Sequence, residues 1–292
     1  AIGLCLVGSE MCIRDSLDRE LIQNPEGHYI IFATSQGRIK RSHLSDYVKI
    51  NRNGKYALKF AKDNDSLVQV RPATKEDHVV LVSSMGYACR FLPSEAKTRV
   101  DAATGESTTT HTVRVQGRVS QGVAGMKLQS GDRVVGMIVT DDFDTSVLTI
   151  SKHGMAKRSR LGSGSMIKIK LEDGTIAQGD DGEPLMERDG YRKTNRGTKG
   201  VRTMALSDGD FIIGVRQIPD LSDQLFMLTE KGMMIRMPAT QTKETLGKVT
   251  KGTRIMELRT KDKKSYADEI VFVARLPSDL VERGDVESDG EE

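Results

Sequence analysis

One pattern occurs four times along the chain and constrains the fold more than any other feature. Each copy has a run of mainly apolar residues, then a hydroxyl residue, a glycine three residues later (the turn glycine) and an arginine four residues after that. These positions are Thr34, Gly37 and Arg41 in copy one; Ser83, Gly86 and Arg90 in copy two; Ser151, Gly154 and Arg158 in copy three; and Thr229, Gly232 and Arg236 in copy four. Self-similarity of this kind is typical of propellers and other repeat architectures.

The spacing within each copy predicts short strands joined by tight turns. In copy one, Tyr29–Thr34 and Arg38–Arg41 form a strand-turn-strand. Asn53 and Gly54 then indicate a hairpin before a strand at Tyr56–Phe60, and another strand follows at Leu67–Val70. Four short strands in about 45 residues correspond to one propeller-like blade.

A second landmark recurs in every copy. A glycine (the second glycine) is followed by apolar residues four and six positions later, a spacing that places the pair on one face of a strand. The sets are Gly54, Leu58 and Phe60; Gly122, Met126 and Leu128; Gly200, Met204 and Leu206; and Gly252, Met256 and Leu258. An aspartate then precedes the last apolar run of each copy, at Asp65, Asp132, Asp210 and Asp268.

These landmarks predict the domain organisation. We expect four blades at about 29–74, 78–141, 146–220 and 224–277, preceded by a linker at 17–28. Inserts at about 98–119 and 162–194 lengthen copies two and three, and the first predicts a hairpin. Residues 1–16 resemble translated adapter sequence, and we expect them to be foreign to the fold. We also expect an unpaired sheet edge at Tyr29.

Charge is distributed unevenly along the chain. The net charge is +3, but residues 278–292 hold seven acidic residues against one basic residue. The remainder has 43 basic and 34 acidic residues, a balance of +9. A basic body indicates a polyanionic partner. The acidic tail, which we expect to be disordered, is either a competitor for that partner or a solubilising segment.

Composition excludes several classes of protein. No apolar run approaches the ~18 residues of a membrane span, so no membrane partner is expected. Three cysteines are too few for a disulfide framework, and their spacing with histidines does not match a zinc site. A reducing cytoplasm is therefore the expected location. The five histidines lie far from one another and indicate no catalytic arrangement.

The repeats resemble the blades of the C-terminal DNA-wrapping domain found in the A subunits of type IIA topoisomerases, a family that includes DNA gyrase and its topoisomerase IV relative. The resemblance extends from about Tyr29 to Pro277 and rests on strings such as FATSQGRIKR, TISKHGMAKR, MLTEKGMMIR, NRGTKGVRTMAL and SQGVAGMKL. It implies an all-β fold: a β-pinwheel of usually six four-stranded blades that bends duplex DNA around a basic rim. The four copies here resemble the last four blades.

The resemblance also implies a larger assembly. A whole enzyme of this type is an A2B2 complex that cleaves, passes and reseals DNA with ATP on its B subunit and Mg²⁺. The expected role of this chain is the DNA-wrapping part of gyrase, with no catalytic residue, cofactor or metal of its own. The string that defines gyrase is absent, and residues 195–200 are a weaker relative of it. Topoisomerase IV therefore stays open as an alternative, and so does a protein-interaction propeller without a DNA role.

The candidate DNA contacts are basic residues in repeated positions. If the blades form a ring, the four repeat arginines recur along one rim, where they would face solvent and meet phosphates. Two groups of residues extend this stripe: Arg38, Lys40, Lys157 and Arg160 beside the arginines, and Arg196, Lys199 and Arg202 in a glycine-rich basic loop. The competing interpretations are ordinary solvated strand residues for the first group and a hairpin turn for the second.

Overall fold

The computed structural model describes residues 19–49, 54, 56–100, 107–169, 171, 175–179, 181–245, 250–260, 262 and 265–278. Several predictions fall outside these residues. They are the foreign character of residues 1–16, the Asn53 half of the first hairpin turn, and the disorder of the tail from 279 to 292.

Within the described residues the chain is almost entirely β-structure. It has two short helices, α1 (Arg19–Gln23) and α2 (Ser45–Val48), and a 3-10 turn at Ala239–Gln241. The strands are β1 (Tyr29–Thr34), β2 (Arg38–His43), β3 (Leu67–Ala73), β4 (His78–Ser83), β5 (Tyr87–Phe91), β6 (Ala96–Val100), β7 (Ser107–His111), β8 (Val123–Ala124), β9 (Val134–Thr140), β10 (Ser146–Ser151), β11 (Met155–Arg160), β12 (Met166–Lys168), β13 (Met186–Arg188), β14 (Val201–Arg202), β15 (Ile212–Ile218), β16 (Gln224–Thr229), β17 (Met234–Pro238), β18 (Thr253–Arg254) and β19 (Ile270–Leu276). The predicted all-β fold with four-stranded antiparallel sheets is confirmed. No helix in the described ranges has the length and apolar character needed to cross a membrane.

The chain divides into two compact units. Unit 1 comprises Ala1–Asp141 and Thr194–Gly200, and unit 2 comprises Asp142–Lys193 and Val201–Glu292. Each unit has its own buried cluster, built mainly from aliphatic side chains of the inner strands. Burying such side chains contributes about 1.5–3 kcal/mol each, which explains how a chain without tryptophan forms a core.

In unit 1 the inner strand of each sheet has partners on both sides. One sheet has the order β3-β1-β2-β8, and in the other β4 lies between β9 and β5. Tyr29 of β1 lies opposite His43 on one side and Ala73 on the other. The predicted unpaired edge at Tyr29 is therefore wrong, because β1 is an inner strand. The hairpin predicted in the first insert is present as β6 and β7.

In unit 2 the same arrangement appears, with one difference. One sheet has the order β15-β10-β11-β18, whereas the described residues of the other give only β17-β16-β19. The second insert contributes a separate ribbon in which β12 pairs with β13.

The fourth strand of a sheet comes from the following repeat. Strand β8 belongs to copy two and pairs with β2 of copy one, and β18 belongs to copy four and pairs with β11 of copy three. The prediction that Tyr56–Phe60 is a strand of copy one is wrong, since these residues are not in a strand. These residues have the period-two spacing of a strand, but spacing carries no information about which strand would be the partner.

Strands β8 and β18 pair in one register. Ile39 lies opposite Val123 in unit 1, and Ala156 lies opposite Thr253 in unit 2. The backbones approach closely where the exchanged strand begins. A Cβ atom on Gly252, whose φ is +77°, would lie 2.2 Å from the carbonyl oxygen of Ala156. Only glycine fits there, which explains the second glycine of the repeat.

The repeated hydroxyl and aspartate residues hold the tight turn between the first two strands. Thr34 Oγ1 accepts the backbone N–H of Arg38 at 3.3 Å and donates to Asp65 Oδ2 at 2.8 Å. Asp65 Oδ1 also accepts from Ser35 Oγ and from the backbone N–H of Gln36. Equivalent aspartate contacts join Asp132 to Ser84 and Met85, Asp210 to His153, and Asp268 to Lys231.

We predict that Gly252→Ala destabilises unit 2 more than Gly209→Ala does. Both glycines have positive φ, so each substitution costs about 1–2 kcal/mol of backbone strain. A Cβ at Gly209 meets no atom within 4 Å, whereas at Gly252 the exchanged strand must move away from Ala156. Urea denaturation followed by circular dichroism gives the two free energies of unfolding. Equal losses would contradict the close approach.

Candidate nucleic-acid interface

Three of the four repeat arginines are buried. Arg41, Arg90 and Arg158 are at most 7% exposed, whereas Arg236 is exposed. The expectation that all four face solvent is therefore wrong for three of them. The physical reason is that both faces of these strands are covered: four consecutive residues of β2, from Ile39 to Ser42, are buried. Adjacent strand residues point to opposite faces, so a lysine–arginine pair in such a strand has no solvent-facing member.

The lysine that precedes the arginine in copies one and three binds a backbone carbonyl group of its own copy, and in copy one it also binds a carbonyl group of copy two. Lys40 Nζ donates to the carbonyl oxygen of Ala57 at 2.6 Å and also to that of Arg118. Lys157 Nζ donates to the carbonyl oxygen of Thr203 at 2.7 Å. Ala57 and Thr203 both lie three residues after the second glycine of their copy. These lysines are therefore tethers that hold the second landmark of the repeat.

Copy two has the same tether with a different side chain. Cys89 occupies the lysine position, and its Sγ lies 3.8 Å from the carbonyl oxygen of Gly125, again three residues after the second glycine. A thiol is a weak hydrogen-bond donor. The Cys89 side chain therefore lies where the lysines lie but binds its carbonyl group more weakly than they do. In copy four the position is Ile235, which has no polar group.

Burial changes the acid–base behaviour of the two lysine tethers. Removal from water lowers the pKa of both Lys40 and Lys157 from 10.5 to about 8. With a pKa of about 8, each ammonium group is still charged at neutral pH, at a desolvation cost that the unfolded chain does not bear.

The buried arginines also make contacts inside their own unit. Arg158 Nη1 donates to Glu244 Oε2 at 2.8 Å, and its Nε donates to the carbonyl oxygen of Thr242 at 3.1 Å. The guanidinium of Arg41 stacks 4.8 Å from the ring centre of Tyr29, and burial lowers its pKa. For Arg90 the Nε–His78 Nδ1 distance is 3.3 Å. None of these three is placed to meet a phosphate without a local rearrangement.

Arg38 and Arg196 bracket the exchanged strand β8 in unit 1. Arg38 donates from Nε to the carbonyl oxygen of Gln121 at 2.8 Å and from Nη2 to that of Gly122 at 2.7 Å. Arg196 donates from Nη1 to the carbonyl oxygen of Ala124 at 3.1 Å. Both are half-buried, and their guanidinium groups serve chiefly to fix β8 in its sheet.

The remaining predicted contacts are exposed: Arg160, Lys199, Arg202 and Arg236. Arg160 forms ion pairs with Asp144 at 2.6 Å and with Asp189 at 3.6 Å. Lys199 Nζ lies 4.2 Å from the ring centre of Tyr87, an attractive cation–π arrangement. Exposed pairs of this kind contribute little to stability, so an external anion can compete with them for Arg160 and Lys199.

Arg160 and Arg202 line one cavity in unit 2. Its volume is about 110 Å³, and Lys157, Arg188 and Tyr191 also line it. The carboxylates of Glu187, Asp189 and Glu244 lie in the same wall. The sequence did not indicate this convergence, because Arg160 and Arg202 are far apart in the chain. Guanidinium groups in such a recess can bind phosphate oxygens bidentately. The described residues contain no group of three or more His, Cys, Asp or Glu side chains arranged as metal ligands.

Sequence reasoning missed the tethering role, although one signal for it was present. The pairs Lys40-Arg41 and Lys157-Arg158 are adjacent, so they occupy both faces of one strand. In a sheet that is covered on both faces, such a pair must find internal acceptors. Backbone carbonyl groups at a fixed distance after the second glycine supply them.

Comparison with known proteins shows which family has these repeats. A family model described as DNA gyrase C-terminal domain, beta-propeller, matches residues 28–74, 107–141, 145–163, 186–219 and 223–276. The DNA gyrase A subunit of Staphylococcus epidermidis (strain ATCC 12228) is 30% identical over 234 residues, which are 80% of this chain and 21% of that protein. The gyrase A subunit of Staphylococcus aureus (strain MRSA252) is 27% identical with the same coverage. The chain thus spans about a fifth of the length of these relatives.

Two solved structures share the fold. The C-terminal domain of DNA topoisomerase IV superposes with a TM-score of 0.65 at 17% identity, covering 91% of this chain and 68% of that one. The DNA gyrase A C-terminal domain gives 0.59 at 20% identity, covering 86% and 67%. At these identities the likeness concerns the fold alone.

We predict that the stabilising effect of Lys157 increases with pH. Between its native pKa of about 8 and its unfolded value of 10.5, the native state has released a proton that the unfolded chain still binds. Stability therefore rises with pH in this window. The free energy of unfolding of the unsubstituted chain, minus that of Lys157→Met, should grow by about 1–3 kcal/mol from pH 7.5 to 10.5.

The control for this prediction is Lys251→Met, at an exposed position in the same unit. Urea denaturation at each pH measures both variants. For the control we expect this difference in the free energy of unfolding to stay constant with pH. If it also stays constant for Lys157→Met, the result would contradict a buried charged lysine.

Proposed function

The chain belongs to the DNA gyrase C-terminal domain family, and from that membership we propose that it binds duplex DNA and curves it around its surface. The match of the family model in five segments between residues 28 and 276 carries the proposal. It includes part of each of the four repeats, so the chain has the repeated scaffold of the family and not an isolated motif.

The charge and its exposure support contact through phosphates. Outside residues 278–292 the chain has a balance of +9, and duplex DNA carries one negative charge per ~1.7 Å of its axis. The described helices have only five and four residues, so neither offers a recognition helix for the major groove. The contact we propose is therefore independent of base sequence.

The structure narrows the residues that we assign to DNA. We propose direct phosphate contacts for the exposed set, Arg160, Lys199, Arg202 and Arg236. The buried or half-buried set supports the surface from inside and comprises Arg38, Lys40, Arg41, Arg90, Lys157, Arg158 and Arg196. This division follows from burial and from the carbonyl contacts of the second set.

We further propose that the intact protein is the A subunit of a DNA gyrase, a type IIA topoisomerase that supercoils DNA negatively. The gyrase A relatives, at up to 30% identity, support gyrase over topoisomerase IV. In that assembly the chain would join an A2B2 complex in the cytoplasm through other domains. ATP and Mg²⁺ would bind in those domains, and cleavage would use their residues.

We predict that replacing Arg160, Lys199, Arg202 and Arg236 with alanine weakens DNA binding without unfolding the chain. Each lost phosphate contact should lower the slope of log affinity against log salt by about 0.9. Fluorescence anisotropy with labelled duplex across a salt series measures the slope, and circular dichroism confirms folding.

A charge-matched control separates contact from net charge. Lys62, Lys75, Lys231 and Lys251 are exposed lysines outside the assigned set, and their replacement by alanine removes the same four charges. The control should retain most of the salt slope. Equal loss in both variants would show that only the overall charge matters and would contradict the assignment.

We predict that the chain changes DNA topology as well as binding it. A curved, wrapped path should make affinity rise with duplex length and should shift the linking number when nicked circles are sealed in its presence. Gel electrophoresis of the sealed circles measures the shift. Tight binding with equal affinity for short and long duplexes and no shift would contradict wrapping.

A further inference from the structure

The second insert leaves and re-enters its repeat through a narrow neck, which consists of Leu161 and Gly162 on one side and Asp189 and Gly190 on the other. Both glycines have positive φ. A Cβ atom on Gly162 would clash with the carbonyl oxygen of Asp189, and one on Gly190 would clash with that of Leu161. Only glycine fits at these two positions, so the backbones of the two sides lie in direct contact.

The neck fixes the position of the Asp189 carboxylate. Its Oδ2 accepts the backbone N–H of Ser163 at 2.7 Å, and its Oδ1 lies 3.6 Å from Arg160 Nε. The side chain of Asp189 is only 14% exposed. This carboxylate therefore faces Arg160 from the insert, and it cannot turn away without breaking its bond to Ser163.

A second carboxylate faces Arg160 from the loop before β10. Asp144 Oδ1 accepts a hydrogen bond from Arg160 Nη2 at 2.6 Å. The loop lies against the neck, because the N–H of Gly162 donates to the carbonyl oxygen of Phe143 at 2.9 Å. One guanidinium group is thus held between two carboxylates that come from different segments of the chain.

This cation and its two carboxylates occur together in one repeat. The place of Arg160, six residues after the turn glycine, is taken by His43, Leu92 and Pro238 in the other copies. The insert is also acidic as a whole, since residues 162–190 have seven acidic and three basic residues. Negative charge is therefore concentrated beside one of the residues that we assign to DNA.

We propose that Asp144 and Asp189 are internal competitors of DNA: they bind the Arg160 guanidinium in the free chain, and a phosphate must displace them to bind it. The two carboxylates are therefore affinity-determining residues of the DNA surface, and the neck of the second insert positions one of them. This inference rests on the proposed function, because it takes Arg160 as a phosphate contact.

The exposure of the Arg160–Asp144 pair allows such an exchange. The two side chains are 44% and 87% exposed, and exposed pairs of this kind are weak. A phosphate at Arg160 gains a charge-assisted hydrogen bond, but the broken pair and the repulsion from a nearby carboxylate offset part of that gain. Neutralising the carboxylates should therefore raise DNA affinity by about two- to fivefold for each one.

A double-mutant cycle tests the proposal, with fluorescence anisotropy of a labelled duplex as the measurement. Asp144→Asn and Asp189→Asn are made together in the unsubstituted chain and in the Arg160→Ala chain. An amide has an oxygen that can still accept the Ser163 N–H, and circular dichroism confirms folding. The affinity should rise by about four- to twentyfold in the unsubstituted chain. In Arg160→Ala most of this gain should vanish, because the cation for which the carboxylates compete is gone.

The control removes two carboxylates of the same unit that lie outside the neck. Asp208→Asn with Glu230→Gln changes two exposed residues and shifts the net charge by the same amount. This pair should raise affinity less than the neck pair does, and equally in both backgrounds. A gain from the neck pair that is equal in both backgrounds, or no larger than that of the control, would indicate a general charge effect and would overturn the proposal.

The same measurements separate this inference from the proposed function. If the neck pair lowers the free energy of unfolding without raising affinity, the carboxylates only support the fold and the inference is wrong. If the unsubstituted chain binds duplex DNA but the cycle is additive, the inference fails and the proposed function stands. A chain that does not bind duplex DNA at all would overturn both.

Discussion

The rest of the structure depends on one contact between backbones. Where a repeat contributes a strand to the sheet of the preceding repeat, the two backbones approach closely. At Gly252 the approach leaves no room for a side chain. In the turn opposite that strand, Ser151 Oγ accepts the backbone N–H of Met155 and Asp210 accepts that of His153. Behind it, Lys157 holds the backbone of its own copy. The second glycine, the hydroxyl and aspartate pair, and the lysine of copies one and three therefore have separate roles: they allow the close approach, fix the turn and hold the backbone, respectively.

The fold was largely predictable from the sequence, because local chemistry recurs at fixed spacing. The turn at Gly37, the strands on either side of it and the hairpin of the first insert follow from residues that are near one another in the chain. The partner of a strand does not follow in the same way. Tyr56–Phe60 has the spacing of a strand and yet is not one, since pairing depends on an edge that lies elsewhere.

The candidate site was only partly predictable for a related reason. The repetition of an arginine indicates that its position is important. It does not indicate whether the side chain faces solvent or binds a carbonyl group. Arg158 and Arg236 occupy the same place in the repeat, and only Arg236 is exposed. Arg158 is covered by residues of the following repeat, since it donates hydrogen bonds to the carbonyl oxygen of Thr242 and to Glu244. Burial of a basic residue here is decided by the neighbouring repeat, which one copy of the motif cannot specify.

The one-repeat offset between giving and receiving a strand also bears on how such chains change in length. When a whole repeat is duplicated or lost, each remaining repeat still contributes a strand to the repeat before it. Every contact between neighbouring repeats inside the array is therefore kept. A gene encoding these repeats can therefore gain or lose copies by recombination without evolving a new interface.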